Sequence, residues 1–282
     1  MPKTRVAVVG LGLLGGSIGL ALSRSAGPWH VIGVDRDEGT VGKAIAAGAV
    51  DAGTTDIGQG VHVADLVVLA TPVRTVPDLI RTAAPGMKSG AVVTDVGSTK
   101  AELCRTIPPL LPPGVVYIGG HPMAGSELKG FDAADPYLFE NAVYVLTPAT
   151  NDAVAMRRVL EFVEALGAQP LVLEAARHDR IVAAVSHLPH LVAAALVNAV
   201  ADAAAADAQL LALAAGGFRD TTRIASGDPA LWRDICMTNR EPLTAMLNLF
   251  QHTLARLRGA VEAGDDEELH AQLEAARATR EQ

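Results

Sequence analysis

The sequence predicts an α/β chain in which an open, doubly wound, mostly parallel sheet is followed by an all-helical segment. Three observations predict it. Up to about residue 173, short apolar runs alternate with helical stretches, the pattern of a parallel sheet wrapped by helices. Those runs are continuous in Val, Leu and Ile rather than interleaved with polar residues, as strands covered on both faces require. Beyond that point the strand-like runs cease, and apolar residues recur at three- and four-residue steps, the period of a helix face.

Arg5-Val6-Ala7-Val8-Val9 reads as the first strand and Gly15 to Ser25 as the helix after it. His30 to Val34 is the second strand, followed by a helix over Thr40 to Ala47. Leu66 to Ala70 and Ala91 to Val96 are the next two clear strands, and Val115 to Ile118, Ala142 to Leu146 and Pro170 to Leu173 continue the series. In the helical part, Asp228-Pro229 is a start signal, Asp as cap and Pro in the first turn. Leu243, Met246, Leu247, Phe250, Leu254, Leu257 and Val261 form one helical stripe, and Asp265-Asp266 opens a final helix. The boundary between the two parts is expected near 170–176.

Half of the 282 residues are hydrophobic and 19% are charged, which excludes a chain too polar to offset its own entropy. The net charge of −8 repels phosphate backbones, so no nucleic-acid partner is expected. Cys104 and Cys236 form no CxxC pattern, consistent with a reducing cytoplasm. The amino terminus runs straight into the first strand, leaving no room for a secretory signal. Ile181 to Val200 carries no charged residue and is long enough to cross a bilayer. Its Ser186, His187, Pro189, His190 and Asn198, its alanine bulk and the lack of an aromatic belt favour a helix buried in a domain core or subunit interface over a membrane span. Pro189 removes a backbone donor and should break the regularity of that helix.

Gly10-Leu11-Gly12-Leu13-Leu14-Gly15 is a GxGxxG between a strand and a helix. In that context the first glycine allows the tight turn, the second admits a pyrophosphate, and the third lets helix and strand pack closely. The free N–H groups of the helix start then face the phosphates. Asp35 ends the second strand, 20 residues after Gly15, where a carboxylate bonds ribose hydroxyls and disfavours a 2′-phosphate. NAD is therefore the expected cofactor in a Rossmann-type domain, although Arg36 is placed to accept a phosphate.

Three further segments carry chemistry. His121 follows a predicted strand, where it serves either as a proton acceptor or as a hydrogen-bonded turn residue. Ser98, in Asp95-Val96-Gly97-Ser98-Thr99-Lys100, either meets a substrate hydroxyl or caps the next helix, capping being the default. Arg223 either clamps a carboxylate or pairs with Asp220 or Asp228. His187 and His190 share a helix side without a third ligand at a telling spacing, so no metal site is expected.

With these segments together, the chain resembles the prephenate/arogenate dehydrogenase family. The matching pieces are GLGLLGGS (10–17), VDRD (34–37), ATPV (70–73), DVGSTK (95–100), GGHPMAGSELKG (119–130), SHLPH (186–190) and FRDTTRIASGDPALW (218–232). The resemblance implies oxidative decarboxylation of prephenate to 4-hydroxyphenylpyruvate with NAD, in tyrosine biosynthesis. It implies His121 as catalytic base with Ser98 sharing the substrate hydroxyl. His190 and Arg223 would reach the substrate carboxylates, Glu127 would stand at the pocket mouth and Trp232 would line the site. The cofactor would be held by Gly10, Gly12, Leu13, Leu14, Gly15, Asp35 and Arg36, and bordered by Thr71, Pro72 and Val73. Where some members have a second serine, this chain has Gly227. The implied organisation is an NAD-binding domain over 1–173 and a helical substrate and dimerisation domain over 174–282, giving a cytoplasmic homodimer. The alternatives are an arogenate or dual-substrate cyclohexadienyl dehydrogenase and, more distantly, a β-hydroxyacid dehydrogenase or a non-catalytic dinucleotide sensor. The β-hydroxyacid enzymes would carry a catalytic lysine near 178–190, and this chain has none there.

Overall fold

A computed structural model describes residues 3–207 and 209–281. The strands are β1 (Thr4–Val9), β2 (Trp29–Val34), β3 (Ala52–Thr54), β4 (Leu66–Leu69), β5 (Val92–Asp95), β6 (Val116–Pro122), β7 (Val143–Pro148) and β8 (Gln169–Val172). They form one sheet in the order β3-β2-β1-β4-β5-β6-β7-β8. Neighbours from β3 to β6 are parallel, β7 runs antiparallel to β6, and β8 is parallel to β7. The helices α1 (Leu13–Arg24), α2 (Glu38–Ala46), α3 (Ile57–Val61), α4 (Val76–Ala83), α5 (Ala101–Thr106) and α6 (Ala153–Ala165) lie between them.

The unbroken apolar runs have a simple cause. Side chains of a strand alternate between faces, and both faces are dry here. Val6 and Val8 join Leu11, Ile18, Tyr144 and Phe162 on one side, while Ala7 and Val9 join Val67, Ile80, Ile107 and Tyr117 on the other. The edge strand β8 departs from that expectation. Leu171 and Val172 are 45% and 51% exposed.

The order of strands reverses at β1, so the turns leaving β1 and β4 flank a crevice at the carboxyl ends of the sheet, where such folds bind ligands. The turns leaving β5 and β6 open on the same side.

The rest of the chain is helical: α7 (Ala175–Val182), α8 (Leu188–Ala204), α9 (Gly216–Thr222), α10 (Pro229–Thr238), α11 (Arg240–Ala263) and α12 (Asp266–Arg280). Asp228 caps α10 by accepting from Ala230 N at 2.8 Å, and Asp265 caps α12 by accepting from Glu268 N at 3.0 Å. Helices α7 and α8 are continuous through a widened π-helical turn, Ala183–His187. Pro189 lacks the N–H that would bond one turn back, and the backbone widens to keep its carbonyls paired. The continuous helix Ala175–Ala204 is long and apolar enough to cross a membrane, yet only 28% of its apolar window is buried within the chain. A place in the core of a single chain therefore does not account for most of this surface.

Candidate active site

The site begins with the glycine loop. Gly10 has φ +93°, and a Cβ there would lie 2.6 Å from the Ala70 carbonyl oxygen. At Gly15 a Cβ would lie 1.8 Å from the Gly10 carbonyl oxygen, so helix α1 can approach β1 only without a side chain. A Cβ on Gly12 would meet nothing within 4 Å. No side chain caps the start of α1, and no acid stands in its first turn. The loop thus offers an open glycine face and uncapped N–H groups, which fits a dinucleotide diphosphate. Asp35 accepts from Leu11 N at 2.8 Å and from Asp37 N at 3.1 Å, which ties the end of β2 to this loop.

From the loop a cavity of about 740 Å³ runs toward the helical part, within the size range of small-ligand sites. Gly12, Leu13, Leu14, Thr71, Pro72, Val73, Ser98, His121, Glu127, Arg223 and Trp232 all line it. Gly10, Gly15, Asp35 and Arg36 do not line it. His190 lies behind the Trp232 indole, stacked on it with ring centroids 3.5 Å apart and planes 9° apart. His187, unassigned from sequence, lines the cavity instead.

A buried network sets the relation of Ser98 to His121. Asp95 lies at the end of β5 with no exposure. It accepts from the Tyr117 hydroxyl at 2.7 Å, from Gly97 N at 2.8 Å and from Gly120 N at 3.1 Å. Lys100, equally buried, pairs with Asp95 and donates to the Gly120 carbonyl at 2.7 Å. One carboxylate therefore clamps the turn bearing Ser98 to the strand bearing His121. Ser98 does not cap α5. That work falls to Asp179, whose Oδ1 accepts from Lys100 N at 2.8 Å and whose Oδ2 accepts from Ala101 N at 2.9 Å.

His121 is 9% exposed, and its Nδ1 lies 2.8 Å from His178 Nε2. Burial, with the neighbouring His178, Lys100 and His187, holds its pKa well below the ordinary 6.5. Burial brings His187 down to about 4, and lowers His190 as well. His121 is thus neutral at pH 7, the form a proton acceptor needs. Asn239 donates from Nδ2 to the Asp179 carbonyl at 2.8 Å and stands 3.1 Å from His187 Nδ1.

The mouth carries charge of both signs. Arg223 makes no ion pair among the described residues, and Asp228 is engaged at 2.7 Å by Lys129, whose hydrogen bond lowers its pKa. Gly227 is fixed by packing, since a Cβ there would lie 2.5 Å from Trp232 Nε1. Among the described residues no group of three or more His, Cys, Asp or Glu side chains is placed to hold a metal.

His178, Asp179 and Asn239 escaped the sequence reading, which noted His187 without giving it a role. His178, the hydrogen-bonding neighbour of His121, lies 57 residues along the chain, on an element whose packing no local pattern encodes. A His-Asp pair opening the helical part was the one signal available.

Known proteins resemble this chain in both of its parts. Residues 18–172 match the family model for the prephenate dehydrogenase nucleotide-binding domain, and residues 174–275 match that for the prephenate dehydrogenase dimerization domain. The chain is 36% identical over 269 residues to prephenate dehydrogenase of Bacillus subtilis, covering 95% of this chain and 72% of that protein. The structure superposes on prephenate dehydrogenase from A. aeolicus, solved with hydroxyphenyl propionate and NAD+, with a TM-score of 0.92, 32% identity and coverage of 99% and 98%. It superposes on Synechocystis arogenate dehydrogenase with a TM-score of 0.85, 34% identity and 99% coverage of both chains. The chain therefore belongs to the prephenate dehydrogenase family, NAD-dependent dehydrogenases that oxidise a cyclohexadienyl substrate.

Proposed function

We propose that the chain catalyses the oxidative decarboxylation of prephenate to 4-hydroxyphenylpyruvate, CO₂ and NADH. The observation that carries this reading is the convergence of Ser98, His121 and the unpaired Arg223 on the cavity that also receives the glycine loop. Bound NAD+ supplies the hydride acceptor. The residues of the chain do the rest. His121 takes the proton of the ring hydroxyl, and Ser98 shares that hydroxyl and holds it in line. Arg223 binds a substrate carboxylate through paired N–H donors, a contact with added weight in a chain of net charge −8. His190 acts through the Trp232 ring that it supports, and Glu127 stands at the entrance. Aromatisation of the ring as CO₂ departs drives the step.

A second reading is supported by the acids at the mouth. Glu127 lines the cavity and is suited to an ammonium group, whereas Asp228 is already engaged by Lys129, so arogenate is the alternative substrate. Asp35 supports a preference for NAD over NADP. On this reading residues 1–173 hold the cofactor, while 174–282 complete the substrate site and join two copies in a cytoplasmic homodimer. Following NADH absorbance with prephenate and with arogenate, each with NAD+ and NADP+, tests the assignment. Turnover of prephenate with NAD+ is the expected result; no turnover with any pairing would overturn it.

A further inference from the structure

The imidazole of His121 does not stand alone. His178 Nε2 is 2.8 Å from His121 Nδ1, and the rings meet edge to face with centroids 5.0 Å apart and planes at 78°. On its other side, His178 Nδ1 is 2.8 Å from Asp179 Oδ1. Only 1% of His178 and 2% of Asp179 is exposed. Every other side-chain contact of Asp179 is with a backbone N–H at the start of α5. The carboxylate therefore enters this chain of bonds as an acceptor.

The proton positions follow from the end of the chain inward. An accepting carboxylate needs the hydrogen of His178 on Nδ1. Nε2 of a neutral His178 then carries a lone pair and accepts from the Nδ1–H of His121. That leaves Nε2 of His121 bare, and it is the ring nitrogen not engaged by His178. The opposite arrangement requires a protonated His178 donating to His121 Nδ1. It would bury a cation against the His121 ring, next to the strand whose Gly120 carbonyl already takes the Lys100 ammonium.

We infer that Asp179 and His178 are positioning residues, which fix His121 in the tautomer whose Nε2 accepts the substrate proton and which steady the imidazolium formed when it does. The inference deepens the proposed function and rests on it for the role of His121. Its structural content, the tautomer, stands apart from turnover. In the transfer the substrate O–H bond breaks and a His121 Nε2–H bond forms. The Nδ1–H of His121 stays bonded to His178, so no proton passes to Asp179.

Two measurements test this. In whole protein labelled with ¹⁵N-histidine, long-range proton–nitrogen correlation at neutral pH reads which ring nitrogens bear hydrogen, with His121→Asn and His178→Phe assigning the signals. The expected spectrum has hydrogen on Nδ1 of both His121 and His178 and none on Nε2 of His121. Hydrogen on Nε2 of His121 overturns the inference, whatever the enzyme turns over. In kinetics, His178→Phe should lower kcat by about 10²–10³-fold with KM for NAD+ unchanged. His178→Gln, which keeps an acceptor, should recover about tenfold of that loss. Equal kcat for wild type and His178→Phe overturns the inference. Should the phenylalanine variant fail to bind NAD+, the wild-type spectrum decides alone.

Discussion

At the scale of single residues, the site separates proton transfer from substrate binding. His121→Asn should cut kcat by about 10²–10⁴-fold, the usual range for loss of a general base, while KM for NAD+ stays close to wild type; steady-state kinetics with both ligands varied checks this. Burial sets the sign of the pH dependence. A base is active when neutral, and the pKa of His121 lies below 6.5, so the acid limb of the kcat profile should lie below pH 6.5 with a plateau above it. A limb centred above 6.5 would contradict the buried geometry. Arg223→Ala should instead raise KM for the dicarboxylate about 10- to 100-fold, the cost of one charge-assisted contact, and an unchanged KM would remove Arg223 from the substrate. His121 was legible in the sequence because it stands at the end of a recognisable strand, and Arg223 because it stands in a break between helices. The Asp95–Lys100 pair and the neighbours of His121 were not. Their meaning depends on which strands adjoin, and adjacency is set by topology, not by local pattern.

At the scale of elements, the glycine loop shows how one motif holds residues of opposite purpose. Gly15→Ala forces a side chain into the backbone of its own turn, so thermal unfolding should show a large loss of stability. Gly12→Ala meets no protein atom. Its melting temperature should stay close to that of wild type while NAD+ affinity falls, as titration calorimetry would show. Matched stability losses in the two variants would refute the distinction. The caps Asp228 and Asp265 were readable because a cap is a local device of adjacent residues. Strand β3 was not, being three residues, Ala52–Thr54, with a glycine in the middle. The reversed direction of β7 was hidden for another reason: an apolar run does not say which way it is laid. The break predicted at Pro189 takes the form of a widened turn, and that turn brings His187 to the cavity.

At the scale of the whole molecule, the helical part leaves apolar surface that a single chain does not cover. Val185, Leu249, Leu254 and Val261 are each more than half exposed, and this region matches a dimerization domain. Light scattering coupled to size-exclusion chromatography should therefore give a mass near twice the 29.1 kDa chain; a mass of one chain would argue against self-association. Acid should weaken the fold as well. His187 titrates near 6.5 when unfolded and about 4 when folded, so the unfolded chain binds more protons in that window and stability falls as pH drops through it, by up to about 1.4 kcal/mol per pH unit. Denaturant midpoints at several pH values across that range check the slope. The Asp179 carboxylate, rooted in α7, grips the amino end of α5 and, through His178, the ring carried by β6. A chimera joining this sheet to helices without that His–Asp pair would inherit a coenzyme pocket and lose its aim.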